Sequence, residues 1–62
     1  MYVIIFLDRI HGQQVMHFRD FDDAMEYWNT YYDTPTCYGG LFRDLENHKI
    51  IKHFVEDLVN ES

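Results

Sequence analysis

Apolar and polar positions alternate in different rhythms along this chain. Residues 2–7, Tyr-Val-Ile-Ile-Phe-Leu, are β-branched or large and apolar without a break, and they predict a strand. Tyr2, Ile4 and Phe6 line one side of it and Val3, Ile5 and Leu7 the other. A strand apolar on both sides is normally covered on both sides. One helix covers one side of a small sheet, so a second element, a second subunit or a target is expected on the other. Residues 8–13, with Gly12, predict a hairpin loop. Residues 14–19 predict the returning strand, where Val15, His17 and Arg19 alternate with Met16 and Phe18.

The rhythm then changes to that of a helix. Across residues 20–33, Phe21, Ala24, Met25, Trp28, Tyr31 and Tyr32 form an apolar stripe at helical spacing. Asp20 suits the N-cap, with Asp23 as the acidic member of a capping box. Thr34-Pro35 is expected to end the helix, because proline disfavours helical geometry in the residue before it. Residues 36–40 predict a loop with Gly39-Gly40 as its flexible point. Residues 41–45 and 49–54 predict a second hairpin around Glu46-Asn47-His48, with Asn47 suited to positive φ. Val55, Leu58 and Val59 share a helical face in the tail, residues 54–62, where a short C-terminal helix would fit. The expected fold is α+β: one domain over residues 1–62, a small antiparallel sheet of order β-β-α-β-β, and one amphipathic helix on one face.

Size makes the core marginal, since 62 residues bury little of their surface. Domains this small often add a disulfide, a metal or a partner subunit. Cys37 is the only cysteine, so no intrachain disulfide forms. Aromatic residues make up 18% of the chain, which excludes a disordered acidic tail. Eleven acidic residues against five basic ones give a formal charge of −6. That balance disfavours direct contact with nucleic acid or an anionic membrane, and favours a basic protein surface as partner. Residues 2–7 are too short a run for a signal core or a membrane span, so a cytoplasmic protein is expected.

Chemistry has little to draw on. His11, His17, His48, His53 and Cys37 show no metal-ligand spacing, and no metal or cofactor is expected. Cys37 has no local nucleophile signature. Asp22, Asp23 and Glu26 lie close together but on the exposed side of the helix, whereas general acid chemistry needs a buried or crowded carboxyl. No enzyme is expected.

The same carboxylates suit binding. Asp22 and Glu26 lie about 6 Å apart along a helix axis, and the row to Asp33 spans roughly 16 Å. The first spacing is similar to that of successive phosphates, so the row can imitate a short phosphate backbone. Tyr27 sits among these acids, and Tyr31 and Tyr32 cluster at the helix end as contact area. The expected partner-binding set is Asp22, Asp23, Glu26, Tyr27, Tyr31, Tyr32 and Asp33. A plainer reading of the acids is solubility.

Gly12-Gln13-Gln14, the strand through Phe18 and the aromatic helix are similar in order and spacing to the short phage inhibitors of uracil-DNA glycosylase. The resemblance covers about two-thirds of the chain; the second hairpin departs from it. It implies an acidic, dimeric inhibitor whose target-binding surface includes Tyr27, Trp28, Tyr31 and the helix acids. Phage inhibitors of bacterial RNA polymerase also resemble this chain in the Asp-Asp-Ala-Met-Glu helix, and anti-CRISPR proteins in size and acidity. The resemblance implies a DNA-mimic protein that takes a basic host or defence protein as partner. The alternative is a homo-oligomeric assembly module that buries its apolar strand faces.

Overall fold

A computed structural model describes residues 1–55. It contains β1 (Tyr2–Asp8), β2 (Gly12–Phe18), α1 (Phe21–Tyr31), β3 (Cys37–Asp44) and β4 (Lys49–Val55). The class is α+β, with one helix and a four-stranded sheet. The sheet does not keep the order of the chain: its strands lie as β2-β1-β3-β4. Both β2 and β3 run antiparallel to β1, so they are parallel to each other. The helix carries the chain from one side of β1 to the other. Crossing above β1 is what places it on Ile4 and Phe6.

The core is the layer between helix and sheet. Ile4, Phe6, Ala24, Trp28, Cys37 and Phe42 are its buried members. Trp28 is the hub: its ring stacks on Phe6 at 5.0 Å and meets Phe54 edge-on at 5.7 Å. Phe42 and Ile4 are fully buried beside it. Aromatic pairs in such stacked and edge-on arrangements add to the stabilisation from area burial.

Several expectations need correction. Gly39-Gly40 is not a flexible loop but part of β3. A Cβ on Gly40 would lie 2.7 Å from the Phe54 ring and 2.9 Å from the Phe6 ring. The glycine is there because two rings close over the backbone. The helix is shorter than residues 20–33: the Tyr32 N–H donates to the Trp28 carbonyl, and the chain then turns. Asp20 occupies the N-cap, yet its side chain makes no capping bond, so the expected capping box does not form. In the second turn it is His48, not Asn47, that has positive φ. Asn47 instead donates its side-chain amide to Asp44 at 2.8 Å. Phe54 and Val55 belong to β4 rather than to a helical tail. The rest of that expected helix, with Leu58 and Val59, lies outside the described residues.

The sheet's second side is apolar and open. Val3 is buried there within the sheet, while Ile5, Leu7 and Leu41 are half-buried. A shallow groove of about 420 Å3 is lined by Ile5, Leu7 and Leu41 together with Ile50 and Val55. Among the described residues, no element covers this side.

Candidate functional site

The helix divides its own residues among three surfaces. Asp22, Asp23 and Glu26 are exposed on the side away from the sheet. Asp22 and Asp23 stand in the first turn, where carboxylates favour the positive end of the helix dipole. Glu26, one turn further on, lies beyond that effect. Among the described residues, no base comes within ion-pair reach of Asp22, Asp23, Glu26 or Asp33.

Tyr27 does not belong to this acidic side. It is half-buried and packs on Phe6 at 5.9 Å and on Phe18 at 5.2 Å. Burial, with the nearby Tyr31 second, pushes its phenol pKa up. Tyr27 falls at helical spacing with Ala24, Trp28 and Tyr31, and that stripe faces the sheet. Tyr31, 48% exposed, rests on Tyr27 at 4.7 Å. The two tyrosines wall a cleft of about 420 Å3 above the first hairpin, with Asp8, His11 and Gln14 opposite.

Tyr32 and Asp33 lie on the other flank. Tyr32 stacks nearly parallel on Trp28 at 6.2 Å and meets Phe54 edge-on. Both residues line a cleft of about 750 Å3 with Lys52 and His53 of β4. Asp33 stands past the helix end, so it does not extend the regular Asp22–Glu26 spacing. The expected partner-binding set therefore does not form one row. It is an acidic outer side with an aromatic shoulder on each flank.

Asp8 and Asp44 stand out electrostatically, and the sequence reading passed over both. The Asp8 carboxylate accepts the backbone N–H groups of Ile10 and His11 at 2.8 and 3.0 Å, and the Thr36 hydroxyl at 2.8 Å. The His11 and Ile10 amides, with Thr36, hold its pKa down at about 2. Asp44 accepts the N–H groups of Glu46 and Asn47 and the Asn47 amide, and that side-chain bond leads in lowering its pKa. A polar residue closing an apolar run just before a turn was the available signal. These two carboxylates order turns.

The remaining chemistry-bearing groups are dispersed. Cys37 is buried in the core, and its thiol donates to the Gly39 carbonyl at 3.4 Å. His48 sits in the turn, as expected, and His53 on β4. Among the described residues, no group of three His, Cys, Asp or Glu side chains is placed to hold a metal ion. No helix among them is long and apolar enough to cross a membrane. Comparison with protein-family models, curated proteins and solved structures finds nothing that matches this chain.

Proposed function

We propose that this chain is a small acidic binding protein of the phage-inhibitor kind, acting in the cytoplasm of a host cell. It occupies a basic surface on a host or defence enzyme that handles nucleic acid, and it performs no catalysis itself. The observation that carries this reading is the unpaired acidic side of the helix. Asp22, Asp23 and Glu26 face solvent together, with no cation of the described chain neutralising them. Unneutralised carboxylates on a rigid helix leave their field for a partner. Tyr31 and Tyr32, both more than two-fifths exposed, supply contact area on either flank. Tyr27 positions Tyr31 from beneath.

The test is capture from a bacterial lysate on the immobilised protein, with mass spectrometry of what is retained. The expected result is a basic nucleic-acid-binding protein that duplex DNA displaces. The double variant Asp22→Lys/Glu26→Lys, folded by circular dichroism, should not retain it. Equal capture by the variant, or capture indifferent to DNA, would overturn the reading.

The open side of the sheet favours a second reading, a homo-oligomeric assembly module. Its apolar groove would then be buried between copies and the helix acids would only confer solubility. Ile50→Lys, at the rim of that groove, separates the two: it should dissociate such an oligomer and leave acid-dependent capture intact.

A further inference from the structure

The sheet has two outer strands, and they are built differently. β4 carries Lys49 and Lys52, and its register with β3 shifts between Phe42 and Arg43. Lysines and irregular register are common devices that keep a sheet edge from pairing further. β2 has none of them. Its residues, Gly12 to Phe18, include no proline and no lysine, arginine or carboxylate. Its register with β1 runs unbroken from Phe18 opposite Tyr2 to Gly12 opposite Asp8. Every residue of β2 except Phe18 is exposed. Among the described residues β2 has β1 on one side only, which leaves its outward backbone N–H and C=O groups without a strand partner along an edge of roughly 24 Å.

We propose that β2 is a pairing edge, and that its occupant is β2 of a second copy, antiparallel about a two-fold axis. Charge narrows the occupant. Two chains of formal charge −6 repel each other wherever their acidic surfaces meet. Residues 10–18 form a stretch free of acidic side chains, so copies can approach there without carboxylates facing each other. The strand is also self-complementary. Centred on Val15, the pairing sets Val15 against Val15 of the second copy, Gln13 against His17, Gln14 against Met16 and Gly12 against Phe18. This register keeps side chains on matching sides of the joined sheet. It sets no like charges opposite each other, and it joins two four-stranded sheets into one of eight with both helices on the same side. The pairing does not depend on what the helix binds.

Sedimentation of the whole chain from micromolar to millimolar concentration tests the proposal. The apparent mass should double as concentration rises. Val15→Lys and Met16→Lys, each at the centre of the edge, should return it to the monomer value with an unchanged circular dichroism spectrum. Ile50→Lys, far from β2, should leave the doubling in place. A monomer throughout, a dimer that survives both β2 variants, or dissociation by Ile50→Lys alone would each overturn the proposal. Hydrogen exchange on the unsubstituted protein decides the matter if a lysine variant fails to fold. Outward amides of β2 should gain protection with concentration, and unchanged protection would count against the pairing.

Discussion

Asp8 ends β1 and Asp44 ends β3, and each carboxylate accepts the N–H groups two and three residues further on. Both hairpins are thus held by an ionised aspartate at the mouth of the turn. Each pKa lies below its ordinary value, that of Asp8 at about 2. A carboxyl depressed in the folded state stabilises the fold above its unfolded pKa, and that contribution fades as pH falls toward the folded value. The urea midpoint should therefore drop between about pH 5 and pH 2. Asp8→Ala should lower the midpoint at neutral pH and make that decline shallower, with Asp44 sustaining the remainder. Parallel curves for the two proteins would show that the Asp8 bonds contribute nothing. The glycines of β3 make a second prediction at this scale. Gly40→Ala forces a methyl group against two rings and should cost about 1–3 kcal/mol, as overpacking does. Gly39→Ala meets the flexible end of Leu7 at 3.2 Å and the Phe54 carbonyl at an ordinary 3.6 Å, and should cost less in chemical denaturation. Sequence signalled looseness at Gly39-Gly40, because glycine permits both flexible turns and close ring contacts. Only the positions of Phe6 and Phe54 distinguish the two.

The helix depends on one side chain more than on its termini. Neither an N-cap side-chain bond nor a basic last turn supports it. Packing of Ala24 and Trp28 against β1 and β3 holds it in place. Trp28→Ala should cost about 3–5 kcal/mol. A chain of 62 residues has a total stability on the order of 3–9 kcal/mol, so this variant should lose about a third of it or more and melt at a clearly lower temperature by near-ultraviolet circular dichroism. Periodicity made the helix and its central tryptophan legible, and the uninterrupted apolar run did the same for β1. Tyr27 was misplaced although the spacing Ala24, Tyr27, Trp28, Tyr31 was there to be read. A tyrosine flanked by acids reads as surface, whereas its ring is broad enough to reach Phe6 and Phe18 beneath it. The helix end was set too late because Thr34-Pro35 marks only the last position at which a helix can stop. The chain leaves earlier in order to enter β3, where the Arg9 N–H already bonds to the Thr36 carbonyl.

At the scale of the molecule, the two-sided apolar character of β1 was a sign of its central place in the sheet. The lateral order was not legible, because strand neighbours are chosen by side-chain packing between distant segments. The openness of the second side was legible only as a requirement that something cover it. The candidate surface was legible in its acids and not in its shape. Charge sign is a property of composition, but dividing the tyrosines between two flanks depends on where the helix sits over β1.

Asp22, Asp23 and Glu26 crown the helix on the side away from the sheet, and none forms an ion pair with a described residue. Those three charges therefore act off-centre, from one side of the molecule. A cationic surface within a Debye length, about 8 Å at physiological salt, exerts a torque that turns the helix toward it before any contact forms. Rotation during the encounter would then set which side meets first, and raising the salt would remove that preference without altering a single contact.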